Sequence, residues 1–173
     1  PVTLLKSSDF SRSRLDDYST LVLAGGALAS GHWEKIEAFA EGGGTVLALG
    51  SLAATVQREL GSGASLTPAA TATPVIQKPF DSAATERALK LISGAIFKTT
   101  IDPSHPLLFG FKDQSLAVFR NHARFLEPSG NPYCNPVVYD SETPLMAGYC
   151  SAENLERFKG AASVVVQPKG KGR

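Results

Sequence analysis

The sequence is poor in metal-binding residues and carries almost no net charge. Only three histidines and two cysteines occur in 173 residues, and Cys134 and Cys150 form no CxxC pair and have no histidine close by. A zinc site is therefore not expected, while a disulfide between the two cysteines stays open. Seventeen basic residues against sixteen acidic ones give a formal net charge of +1. This balance excludes a strong electrostatic attraction to nucleic acids or acidic membranes.

Long hydrophobic runs are also missing. No stretch approaches the ~20 apolar residues that span a bilayer, and residues 1–5 carry no basic leader of a signal peptide. We therefore expect no membrane partner and no nucleic-acid partner, and the cellular compartment stays open. The hydrophobic content of 43% is enough for one sizeable core, which predicts a single domain over residues 1–173.

Residues 18–60 read as an alternation of strands, turns and helices. The runs 20–24 and 45–49 are apolar without a polar alternation, which is typical of parallel strands covered by helices on both faces. Between them, helical spacing of apolar residues predicts a helix over 30–41 that ends at a triple glycine. The sequence therefore predicts a parallel α/β unit, and such sheets hold their ligands at the carboxyl ends of the strands.

The rest of the chain is less regular. Residues 61–79 are rich in small residues and proline with one charge, which predicts a flexible surface loop. A helix is predicted over 82–93. Short strands separated by turn residues follow, and they indicate a small antiparallel addition to the parallel sheet. Ser151 is then predicted to cap a short helix. The expected fold is a three-layer, flavodoxin-like α/β sandwich with a mainly parallel central sheet.

Short glycine-rich motifs carry a resemblance to a known fold. Residues 23–26 (LAGG) and 42–50 (GGGTVLALG) resemble the class I glutamine amidotransferase-like fold. In the second half, residues 105–110 (HPLLFG), 147–149 (AGY) and 170–173 (GKGR) are similar to the amidotransferase-like domain that follows the catalytic domain in a group of bacterial zinc carboxypeptidases. The resemblance implies a fragment of a longer chain, whose partner is the catalytic peptidase domain of the same parent.

The catalytic residues of both families are missing from their expected positions. None of His32, His105 and His122 begins the HxxE pair that holds zinc in carboxypeptidases, so the zinc of the suspected parent lies outside this sequence. The nucleophilic cysteine of amidotransferases corresponds to Ser51, and no histidine follows His122 to activate it. We expect no catalytic residue in this domain; Ser51 is the one candidate, and the alternative is that Ser51 caps the following helix.

Four residues are candidates for ligand binding. Gly25, Gly26 and Ser51 follow the two predicted parallel strands and could form a nest for a carboxylate or phosphate, although glycines also serve simply to permit a tight turn. His105 lies in a proline-flanked turn and is the fourth candidate. His122 is expected to be a hairpin residue and not a ligand.

Three functions are compatible with these patterns. The favoured one is a non-catalytic accessory domain of a zinc carboxypeptidase-like metallopeptidase, which packs against the catalytic domain. The second is a binding module for a small anion at the turn formed by Gly25, Gly26 and Ser51. The third is a degenerate amidotransferase or hydrolase with Ser51 as its nucleophile. No cofactor is expected in this domain.

Overall fold

The structure is a computed structural model that describes residues 2–26, 28–61 and 77–172. The chain divides into two compact units, which are Pro1–Ala64 with Gln167–Arg173, and Ser65–Val166. Most of the flexible loop expected at 61–79 lies outside the described residues. Each unit is described by itself, so the single domain expected over 1–173 stays a prediction.

The first unit contains the strand and helix alternation that the sequence predicts. Strands β1 and β2 pair in parallel, with Leu23 beside Ala48 at the carboxyl end. The predicted order is confirmed, with bounds that differ by one or two residues at the ends. The elements are β1 (Thr20–Leu23), α1 (His32–Glu41), β2 (Thr45–Ala48) and α2 (Ser51–Leu60).

One face of the β1–β2 pair forms the core of the first unit. Leu23 packs there with Ile36 of α1 and Leu52 of α2. Along each strand the alternate residues point to the opposite face, where Val22 and Leu47 are about half exposed. Within the first unit the helices thus lie on one face of the pair, and the prediction of helices on both faces of these strands is wrong. An apolar run does not by itself distinguish a strand covered twice from one covered once.

The second unit is built on a five-stranded antiparallel sheet. Strand β3 pairs antiparallel with β4, β5 and β6, and β5 pairs antiparallel with β7. The elements are α3 (Ser82–Leu89), β3 (Ala95–Ile101), β4 (Ser115–Arg120), β5 (Val137–Tyr139), β6 (Leu145–Gly148), α4 (Ala152–Phe158) and β7 (Ala162–Val164).

The expected three-layer sandwich with a mainly parallel central sheet is wrong. Within the described ranges, the parallel pairing is limited to β1 and β2, and the other five strands form the separate antiparallel sheet. Parallel strands need a long crossover that is usually a helix, whereas antiparallel strands accept irregular turns. The links from β3 to β6 contain only short 3-10 helices, at Pro106–Leu108 and Pro132–Cys134. The expected small antiparallel addition is thus the larger of the two sheets.

An aromatic cluster fixes α4 on the antiparallel sheet. Phe158 of α4 stacks on Phe97 of β3 with ring centroids 4.0 Å apart, and both side chains are fully buried. Tyr139 and Phe125 meet Phe158 edge-on at 4.7 Å and 4.8 Å. The helix begins where the sequence predicts it, because the Ser151 hydroxyl accepts a hydrogen bond from the Asn154 backbone N–H.

Candidate functional site

Three of the four candidate binding residues lie at one edge of the parallel pair. Gly25 and Gly26 follow β1, and Ser51 follows β2. Because the two strands are parallel and in register, both turns begin at the same edge, where the Leu49 N–H donates to the Leu23 carbonyl at 2.9 Å. The fold therefore brings Gly25, Gly26 and Ser51 to the place where open α/β sheets bind ligands.

The turns at this edge depend on left-handed glycines. Gly26 has φ 89° and Gly50 has φ 58°, which are values that other residues rarely adopt. A Cβ at Gly25, Gly26 or Gly50 would meet nothing within 4 Å. Conformation, and not close packing, is thus what requires glycine at positions 26 and 50.

The contacts of His32 and His122 are not those of a base that activates Ser51. Helix α2 begins at Ser51 with Gly50 as its N-cap, so Ser51 occupies the first helical position and not the N-cap position. His32 Nε2 lies 3.2 Å from Ser11 Oγ, and His122 Nδ1 lies 3.2 Å from Arg120 Nη2. These histidines bond to groups other than Ser51.

His105 has a local structural role in the second unit. Its Nδ1 accepts a hydrogen bond from the Leu107 backbone N–H at 3.2 Å, which caps the 3-10 helix Pro106–Leu108. This contact fixes the ring at the turn that the flanking prolines create. His105 is therefore explained by its cap, and it belongs to a different unit from Gly25, Gly26 and Ser51.

Metal binding has no support in the described part of the chain. No group of three or more His, Cys, Asp or Glu side chains there is placed to hold a metal ion. Cys134 and Cys150 are buried free thiols. Burial raises the pKa of the Cys150 thiol, which disfavours the thiolate form that binds metals and attacks electrophiles.

The uncovered face of the β1–β2 pair is an apolar surface. Val22 and Leu47 are partners across the pair, and Leu49 continues the same face after β2. Their exposed fractions are 51%, 48% and 45% respectively. We call this surface, formed by Val22, Leu47 and Leu49, the outer face.

The second unit contains a buried arginine that the sequence did not indicate as a site residue. Arg120, at the end of β4, is 8% exposed. Its Nη1 donates to the Tyr139 hydroxyl at 2.6 Å, and its Nη2 donates to the Arg124 carbonyl. Its guanidinium carbon lies 5.3 Å from the Phe125 ring centroid. The strand alternation places Arg120 on the same face as Leu116 and Val118, and this pattern is the signal that could have found it.

Arg120 and Arg124 affect the titration of a neighbouring histidine. The pKa of His122 is lowered from its ordinary value, first by burial and then by the positive charges of Arg120 and Arg124. In the described ranges no carboxylate forms an ion pair with Arg120. The nitrogen Nε of Arg120 is buried and has no hydrogen-bond partner there.

Comparison with protein-family models, curated proteins and solved structures finds no match to this chain. Separately, none of the helices within 2–26, 28–61 and 77–172 combines the length and the apolar character that crossing a membrane requires. Function is therefore inferred from the residues of the chain itself.

Proposed function

We propose that this chain is a non-catalytic accessory domain that docks through its outer face onto the catalytic domain of a zinc carboxypeptidase-like parent chain. The zinc site belongs to that catalytic domain. The choice of partner depends on the resemblance of residues 105–110 and 170–173 to the domain that follows the catalytic domain in such peptidases. The docking role depends on the geometry of the first unit.

The uncovered outer face is the observation that carries the proposal. Parallel strands are normally covered on both faces, because the crossover helices lie against them. Here α1 and α2 pack on the inner face with Leu23, and Val22, Leu47 and Leu49 stay about half exposed. Burying these three side chains under a partner would contribute about 3 kcal/mol, taking about half the value of burying each one completely.

The contacts of the three histidines support a non-catalytic role. A serine hydroxyl becomes a nucleophile only with a base within hydrogen-bond reach. His32 and His122 hold other partners, and His105 caps its own turn. We therefore favour docking over the hydrolase alternative with Ser51 as nucleophile.

The test is a calorimetric titration of the chain into the parent's catalytic domain. We expect saturable binding that Leu47→Lys weakens tenfold or more, because a charge on the outer face would have to be desolvated at the interface. Leu91→Lys is the matched control, since Leu91 is an exposed leucine of the second unit. Absence of binding by the unmodified chain, or equal binding by the Leu47→Lys variant, would contradict the proposal.

A second candidate is anion binding at the carboxyl edge of the β1–β2 pair. The observation that favours it is that two open turns with left-handed glycines, Gly26 and Gly50, begin at that edge. Titration with inorganic phosphate, followed by the NMR signals of the Gly26 and Ser51 amides, tests it. Saturable shifts confined to these amides would support it, and unchanged signals would rule it out.

A further inference from the structure

Arg120 brings a positive charge into the core of the second unit, and among the described residues no negative charge is paired with it. Buried charges are normally paired, because removing them from water is costly. Arg120 is compensated in part by the Tyr139 hydroxyl and the Arg124 carbonyl. These groups carry no net negative charge, and no carboxylate of the described residues pairs with the guanidinium.

A second arginine lies on the same aromatic ring and is open to solvent. The guanidinium carbon of Arg157 is 4.3 Å from the Phe125 ring centroid, and that of Arg120 is 5.3 Å from the same centroid. Arg157 is exposed, and its contact with Asn154 Oδ1 is long, at 3.5 Å. Like Arg120, it forms no ion pair with a carboxylate in the described ranges. The guanidinium groups of Arg120 and Arg157 therefore both lie near the Phe125 ring, and neither forms an ion pair with a described carboxylate.

His122 lies directly beside Arg120. Its Nδ1 lies 3.2 Å from Arg120 Nη2 and 3.3 Å from the Arg124 backbone nitrogen. The ring is partly exposed, so a ligand in solution can approach it. We call the group formed by Arg120, His122 and Arg157 the basic cluster.

We propose that the basic cluster binds a small oxyanion, a carboxylate or a phosphate, which supplies the negative charge that Arg120 lacks. Guanidinium groups are suited to both ligands, because their planar N–H donors match the oxygens of carboxylates and phosphates. The exposed Arg157 and the partly exposed His122 provide the direct contacts, and the buried Arg120 adds its charge. This site is independent of the outer face and of the proposed docking function.

The titration of His122 gives a direct measure of occupancy. The charged groups that face His122 are Arg120 of β4 and Arg124 of the following turn, and both lower its pKa, after burial. A bound anion would favour the protonated ring and raise that pKa. His32 and His105 lie in other surroundings and serve as internal controls.

The experiment follows the ring protons of the three histidines by NMR against pH, in chloride, acetate and inorganic phosphate at equal ionic strength. We expect phosphate or acetate to raise the pKa of His122 alone, by about half a unit or more, with a saturable dependence on concentration. A response to acetate only identifies a carboxylate site, a response to phosphate only a phosphate site, and a response to both a general oxyanion site. Identical titration of His122 in all three anions, or equal shifts of all three histidines, would overturn the proposal.

A pair of variants separates binding from general electrostatics. Arg157→Gln removes an exposed cation of the basic cluster. We expect it to raise the anion concentration that gives half of the His122 pKa shift at least tenfold. Arg87→Gln is the matched control, because Arg87 is an exposed arginine on another helix of the same unit, and it should leave the response unchanged. An unaltered response in the Arg157→Gln variant would contradict the assignment.

Discussion

At the residue scale, different physical effects determine which residue is required at single positions of the two units. Gly26 is required by its left-handed backbone, with φ 89° and open space around it. Arg120 is held by hydrogen bonds and aromatic rings although it is buried. Asp140 is held by backbone N–H groups and one lysine. Each of these effects predicts the result of a substitution or of a change in pH.

The backbone conformation of Gly26 predicts a difference between two neighbouring glycines. Gly26→Val should lower the free energy of unfolding of the first unit by about 2 kcal/mol, because a β-branched residue at positive φ is strained. Gly25→Val should change it by no more than about 0.5 kcal/mol, since Gly25 lacks a positive φ and has open space. Urea unfolding followed by the fluorescence of Trp33, the only tryptophan, measures both. Equal losses in the two variants would contradict this account.

Asp140 predicts a loss of stability in acid. Its pKa is lowered from 3.8 to about 2, first by the Thr143 backbone N–H and then by Lys98 and the Glu142 backbone N–H. A depressed pKa in the folded state stabilises the protein above pH 4, and this contribution is lost as the pH falls towards 2. The unfolding free energy of the unmodified chain should therefore exceed that of Asp140→Asn most above pH 4, and the difference should shrink towards pH 2.

Urea unfolding at a series of pH values measures this difference. Asp113→Asn is a suitable control, because Asp113 is exposed in the turn before β4. A difference between the unmodified chain and Asp140→Asn that does not change from pH 5 to pH 2 would show that ionisation of Asp140 does not contribute to stability.

At the scale of elements, helices α1, α2 and α4 each pack on one face of the strands of their unit. Helices α1 and α2 pack on the inner face of the β1–β2 pair, and α4 packs on the antiparallel sheet through Phe158. The opposite face of the antiparallel sheet carries Phe119, which is 64% exposed. Two phenylalanines in one unit thus differ mainly in burial.

This contrast predicts very different effects of the same substitution. Phe158→Ala should lower the free energy of unfolding of the second unit by about 3 to 5 kcal/mol, because it leaves a cavity beside Phe97 and Tyr139. Phe119→Ala should cost no more than about 0.5 to 1 kcal/mol, since most of its ring is already in water. Chemical denaturation followed by circular dichroism measures both variants. Similar losses for the two would show that α4 does not depend on this contact.

The sequence predicts elements better than it predicts their pairing. The order β1, α1, β2, α2 follows from helical spacing and glycine stops, and the first turn of α4 follows from Ser151. The sequence predicts antiparallel strands only as a small addition, because β3 pairs with β6, a strand far along the chain, and no local pattern records such a contact. Among the candidate site residues, the clustering of Gly25, Gly26 and Ser51 was predictable from parallel pairing. The environment of Arg120 was not predictable, because its contacts come from β5, α4 and the turn after β4.

At the scale of the whole molecule, the two units have different proposed roles. In these proposals the first unit docks through the outer face, and the second unit binds an anion at the basic cluster. The resemblance to amidotransferase-like domains stays a proposal. The outer face is independent of that resemblance, since it follows from the pairing and exposure of Val22 and Leu47.

The most direct test of the central claim is the rate at which maleimide labels a thiol on the outer face. In the Leu47→Cys variant alone, labelling should be fast, while the native Cys134 and Cys150 are buried and should react slowly. A saturating amount of the parent's catalytic domain should slow the labelling of Leu47→Cys at least tenfold and leave a Leu91→Cys control unchanged. Equal labelling rates for Leu47→Cys with and without the catalytic domain would contradict docking through this face.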